Sequence, residues 1–244
     1  MLPTMTTVNR RESLHRRTTD EILAAARAVV SGGEELTLRA VARDVGLTAP
    51  ALYRYVAGLD DLVDQLGEHL YADLVATLVA ARDAAAAPAP DDTAPVRLIA
   101  IAWAFREWAL AHRFEYGLLF ANPLHGAHHQ GACTERGAQL FGSIFSDVFA
   151  QLWRERSFAV PADDELDPEI RRQLAGSEQG PDPLPLGLRY VFVRQWSRLY
   201  GTVTLEAFGH LTWALADTRP LFVAMLAENA AELGFADAST VLDG

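Results

Sequence analysis

The sequence predicts an all-α protein made of two modules that meet near residue 58. Apolar residues recur at helical spacing through almost every long stretch, and glycines punctuate those runs. No stretch shows the period-two alternation of a convincing strand. Residues 1–58 are expected to form an N-terminal arm and a three-helix unit, and residues 59–244 a larger helical domain. Half of the 244 residues are hydrophobic, enough to build a substantial core and to argue against disorder of the whole chain.

Thr18-Thr19-Asp20-Glu21 has capping-box spacing, so the first helix is expected to begin there. Ile22, Ala26 and Val29 follow at helical intervals until Gly32-Gly33 stops the run. Thr37 opens a second, shorter helix with Leu38, Val41, Ala42 and Val45 on one face, ended by Gly46. A third begins at Thr48, a good N-cap, with Pro50 tolerated in its first turn and Leu52 and Val56 one turn apart. Gly58 breaks it. The fourth helix, from about Leu59 to Ala85, carries Leu62, Leu66, Leu70, Leu74 and Leu78 at i+4 intervals.

Ala84–Pro95 is a low-complexity connector, expected to be flexible and exposed. Beyond it a helix from Val96 to His112 places Leu98, Ile101, Phe105, Trp108 and His112 on one stripe. A short helix, Phe114–Ala121, is closed by Asn122-Pro123. The next, from Glu135 to Arg156, carries Phe141, Phe145, Phe149 and Trp153 one turn apart. Residues 158–186, rich in Pro, Gly, Asp and Glu, are expected to form a long loop. The last two helices are expected at Leu186–Leu215 and Thr218–Gly234.

Net charge is −11, a poor match to a polyanionic partner until the chain is divided. Residues 1–58 hold eight arginines against six acids, so the acidity lies further on. Such asymmetry points to a nucleic-acid-facing segment beside a different module. The lone cysteine, Cys133, leaves no internal disulfide and no multi-cysteine zinc site. No apolar stretch is long enough to cross a bilayer, and the N-terminal arginines precede no apolar run of a secretory signal. The expectation is a soluble, cytoplasmic protein with no membrane partner.

Leu36–Val56 reads LTLRAVARDVGLTAPALYRYV. Two short helices about Val45-Gly46-Leu47 fit a helix-turn-helix, in which Gly46 permits the tight turn and Val45 and Leu47 fill the gap. With Leu52 and Val56 inward, Ala49, Pro50, Tyr53 and Arg54 turn outward on a helix suited to the major groove of double-stranded DNA. Arginine can bond guanine bidentately, and tyrosine hydroxyls serve phosphates. The small side chains of Ala49 and Ala51 permit close approach.

This stretch resembles the TetR family of transcriptional regulators. The matching residues are Ile22 and Ala26, Leu36-Thr37-Leu38 with Val41-Ala42, Gly46-Leu47-Thr48, Leu52-Tyr53-Arg54-Tyr55-Val56, and Asp61-Leu62. The resemblance implies DNA contacts from Thr37 and Arg39 on the second helix, and from Thr48, Ala49, Pro50, Tyr53, Arg54 and Tyr55 on the third. It implies an effector pocket in the C-terminal domain and a homodimer formed through the last two helices. One departure stands out. The family usually places Lys where this chain has Leu59, so one phosphate contact is either missing or supplied by the arginine arm.

The C-terminal module carries more aromatic residues than a tight bundle needs, and ligand pockets are mostly apolar. Phe105, Trp108, Phe120, Phe145, Phe149, Trp196 and Tyr200 are the candidate ligand-binding residues. In the stretch QWSRLYGTVTLEAFGHL (195–211), Gly201, Thr202 and Thr204 permit close helix approach, while Glu206 needs a partner if buried. His125, His128 and His129 sit in a Gly- and Ala-rich turn without a carboxylate in register, which suits a solvated loop better than zinc. Gly-rich phosphate loops and nucleophile elbows are absent from the sequence, so neither a cofactor nor an enzymatic activity is expected. The reading is a sequence-specific transcriptional regulator, in its simplest form a repressor released from a palindromic operator by a small, largely apolar effector. The alternatives are a helical small-molecule-binding protein without a DNA function, and a transcriptional activator.

Overall fold

The computed structural model describes residues 5–85, 93–121, 132–176 and 184–235. Among them are ten helices and no strand: α1 Met5–Ser31, α2 Leu38–Asp44, α3 Ala49–Leu52, α4 Leu59–Ala84, α5 Ala94–Ala111, α6 Arg113–Phe120, α7 Ala132–Glu155, α8 Pro168–Gly176, α9 Leu186–Ala207 and α10 Arg219–Glu232. The all-α expectation holds. The chain groups into two compact units, Met1–Val75 with His112–Leu140, and Ala76–Ala111 with Phe141–Gly244. Most of the connector, and His125, His128 and His129, lie outside the described residues.

In the first unit α1 packs on α2 and α6, and α2 on α3. Ile22, Ala26, Val41, Leu62, Leu66 and Leu70 are fully buried, with Leu52 and Val56 nearly so, as their spacing predicts. Each of the leucine, isoleucine and valine side chains among them contributes roughly 1.5–3 kcal/mol through burial of apolar surface. Polar ties add register. Arg27 Nη2 donates to Asp73 Oδ2 at 2.9 Å, and Ser31 Oγ donates to the buried Glu115 Oε1 at 2.6 Å. The second unit is built round α5, apolar on most sides, and α9, against which α5, α8 and α10 all pack.

Four local expectations are corrected. α1 begins at Met5, not at the Thr18 capping box: no Gly or Pro interrupts the run to Ser31. Within it Glu21 pairs with Arg17 at 3.1 Å and Thr19 Oγ1 donates back to the His15 carbonyl, both interior-helix behaviour. The third helix is one turn long, and Arg54 and Tyr55 continue it as a tighter turn, their amides bonding Ala51 O and Leu52 O at i→i−3. The expected loop at 158–186 contains α8, which starts because Asp167 Oδ1 accepts from the Glu169 and Ile170 amides while Pro168 fills the first helical position. Finally, α9 stops at Ala207, eight residues early. Gly209 takes φ +69°, the Gly209 amide bonds Glu206 O, and the His210 amide bonds Leu205 O, the paired closure that ends a helix.

Candidate nucleic-acid interface and ligand pocket

The helix-turn-helix is assembled by its caps. Thr37 Oγ1 accepts from the Ala40 amide at 3.2 Å and starts α2. Gly46, at φ +68°, closes α2 by the same pair of bonds as Gly209: its amide to Arg43 O, and the Leu47 amide to Ala42 O. The chain thus turns sharply into α3. Asp61 Oδ2 then accepts from the Ala57 amide at 2.6 Å and from Gln65 Nε2 at 3.2 Å, while Gln65 also reaches the Tyr55 carbonyl. Those bonds fix the exit of the reading segment onto α4.

With Leu52 and Val56 packed inward, Arg39, Thr48, Ala49, Pro50, Tyr53 and Arg54 are exposed, and Thr37 and Tyr55 are half-buried. Tyr53 is 57% exposed, a large aromatic turned to solvent. Tyr55 is held differently: its ring stacks on His15 with centroids 4.8 Å apart. His15 and Arg16 of α1 share an open groove with Arg54 and Tyr55. Arg16 of the arm, with Glu12 and Leu14, therefore lies beside the turn that follows α3. His15 is a contribution the sequence reading missed, because the helix was expected to start only at Thr18. Leu59, where a lysine is usual in TetR-like chains, is 37% exposed.

The second unit holds a half-open cavity of about 50 Å³. Phe145, Phe149 and Trp196 line it, with Leu98, Ile99 and Ala102 of α5 and an apolar wall from α10. Trp196 is the hub of an aromatic cluster: Phe145 meets it edge-on at 5.1 Å, and Phe105 and Tyr200 stack on it at 6.4 and 6.0 Å. Phe105 and Tyr200 thus back the lining without forming it. Trp108 is buried elsewhere in α5, and Phe120 belongs to the first unit, against Tyr71 and Tyr116. The lining also includes two polar side chains that the aromatic pattern did not single out, Gln195 and Asn229. Gln195 is one residue from Trp196 in an apolar helix, the one available signal.

Glu206 has the partner it required. Its fully covered carboxylate accepts from Arg106 Nε at 2.6 Å, and the Arg106 guanidinium lies over the rings of Phe222 and Trp103. Burial holds the Glu206 carboxyl above the ordinary carboxylate range, with Arg106 pulling the other way. Among the described residues no group of three or more His, Cys, Asp or Glu side chains is gathered as a metal site would be. No helix among them is long and apolar enough to cross a membrane.

Residues 98–229 match a family model described as the tetracyclin repressor-like C-terminal domain. The HTH-type transcriptional regulators Rv1816 of Mycobacterium tuberculosis and Mb1846 of Mycobacterium bovis are each 32% identical to the chain over 212 residues, covering 81% of it and 86% of their own length. The crystal structure of SCO4313, described as a candidate regulatory protein, superposes with a TM-score of 0.70 at 26% identity, over 90% of this chain and 98% of that one.

Proposed function

This chain belongs to the TetR family of helix-turn-helix transcriptional regulators, and from that premise we propose that it is a homodimeric repressor released from a palindromic operator by a small, largely apolar effector. Residues 1–58 read DNA, and residues 59–244 bind the effector and dimerise. The observation that carries the reading is the exposed pair Tyr53 and Arg54, with Arg54 in one groove with His15 and Arg16, in a chain whose other unit holds an aromatic cavity. Arg54 reaches base edges, Tyr53 and Arg39 reach phosphates, and Arg16 supplies the phosphate contact that Leu59 cannot. Thr37 spends an oxygen lone pair on the α2 cap, so its hydroxyl hydrogen is the part available to DNA.

Phe145, Phe149 and Trp196 form the effector-facing surface, backed by Phe105 and Tyr200. The dimer forms through α9 and α10, whose outward faces carry Val193, Ser197 and Leu205 on one helix and Leu221, Ala224, Ala227 and Ala231 on the other. Those positions carry apolar or small side chains.

The test is a footprint on DNA from beside the protein's own gene. An inverted repeat is expected, with half-site centres about 34 Å apart and affinity that falls steeply with salt. Effector binding should weaken that affinity by about 5- to 150-fold. Absence of specific binding would favour a small-molecule-binding protein without a DNA function. Target transcription that falls when the gene is deleted would make it an activator.

A further inference from the structure

On the wall of the cavity in the second unit, Gln195 carries one polar atom whose need is unmet. Gln195 of α9 is 7% exposed and lines the cavity. Its Nε2 donates to Glu232 Oε2 at 2.9 Å. That carboxylate fixes which way the amide faces, because the flipped amide would set a carbonyl oxygen against it. The remaining atom, Oε1, is buried and has no hydrogen-bond partner among the described residues. Asn229, the other polar group of the lining, is used: Oδ1 accepts from Arg198 at 3.3 Å, and Nδ2 faces Met225 Sδ at 3.3 Å. Glu232 in turn is held by Arg198 at 2.8 Å, so the amide is anchored from behind.

We propose that the effector is an uncharged, largely apolar molecule carrying one hydroxyl or N–H donor, which it directs to Gln195 Oε1. The inference rests on the cavity being the effector site and adds the ligand's chemistry. A buried acceptor without a partner is costly, and a ligand donor removes that cost while a hydrocarbon of the same shape does not. An ionised ligand is disfavoured, because aromatic and aliphatic side chains make up the rest of the wall and would strip its hydration without replacing it. Gln195 Oε1 is covered in the cavity as it stands, so a ligand donor reaches it as the wall opens on the side of Phe192 and Trp196, which are half-exposed.

Phenol and toluene, nearly equal in shape, separate the donor from the bulk. Calorimetric titration of the full-length protein with each should give phenol about tenfold or more the affinity of toluene. In Gln195→Met, which keeps the length of the side chain and leaves Glu232 its Arg198 partner, the preference should vanish while toluene binding persists. Equal affinity of the two probes for the unaltered protein, a comparison that needs no variant, would overturn the donor assignment and leave the cavity as the effector site. A phenol preference that survives in Gln195→Met would overturn it as well. Binding of neither probe would remove the effector site itself, and the inference with it.

Discussion

Arg106 and Glu206 stand 100 positions apart in the chain and 2.6 Å apart in the fold, with both side chains almost out of water. A pair of this kind contributes little net stability, but removing one member strands the other. Arg106→Met should therefore cost about 3–5 kcal/mol at pH 7 in chemical denaturation. The pH dependence has a definite sign. Burial already raises the Glu206 carboxyl, and losing Arg106 raises it further. A carboxyl raised in the folded state favours the fold below its unfolded value and opposes it as pH climbs through the folded value. The deficit of Arg106→Met relative to the unaltered protein should thus shrink from pH 7 to pH 5, and a deficit that grows would contradict the assignment. At the reading head, Arg54→Ala should cost about 1–3 kcal/mol and relax preference at one base pair in each half-site. Tyr53→Phe should weaken all sequences alike, as loss of a phosphate contact does. Binding titrations against single-base operator substitutions at several salt concentrations separate the two roles.

At the scale of elements, what the sequence made legible was whatever depends on local periodicity and caps. The five leucines of α4 at i+4 spacing are all fully buried, and Thr37 and Gly46 bound α2 as read. What escaped depended on weighing one local signal against another. The capping-box spacing at Thr18 is real in sequence but sits inside an uninterrupted helix, so its groups take helix-interior partners. Asp167-Pro168 is an equally good start signal, hidden in a stretch whose composition reads as loop. The cavity's aromatic wall was partly legible, whereas Gln195, Asn229 and the α10 contribution were not, because which helices meet across a core is set by tertiary packing that no single-helix pattern encodes. Two glycines test these local rules in opposite ways. Gly46 has open space where a Cβ would stand, and its constraint is its φ of +68°. Gly46→Ala should cost about 1–2 kcal/mol, and Gly46→Asn less, since Asn tolerates that conformation. At Gly187 a Cβ would stand 2.0 Å from the Pro161 carbonyl oxygen, a backbone atom. Gly187→Ala should cost about 1–3 kcal/mol through overpacking, and Gly187→Asn more. Thermal melts of the four variants give the two orders.

For the whole molecule the first expectation is assembly. Light scattering should report twice the 26.7 kDa of the chain at micromolar concentration. An interface of that permanence buries roughly 2,000 Å² or more in total. Ala227→Arg, on the outward face of α10, should shift the protein toward monomer and weaken operator binding without altering the reading head. A monomer in the unaltered protein would remove the proposed dimer. The cavity has a further consequence, in compressibility. Empty volume inside a folded protein is lost when it unfolds, so hydrostatic pressure favours the unfolded chain. A cavity of about 50 Å³ is about 30 mL/mol of space, and the unfolding volume change scales with such space without equalling it. An effector seated there gives pressure less volume to eliminate. The pressure of half-unfolding should rise with effector concentration by more than affinity alone accounts for, which would let a compression experiment find the natural ligand before any operator is known.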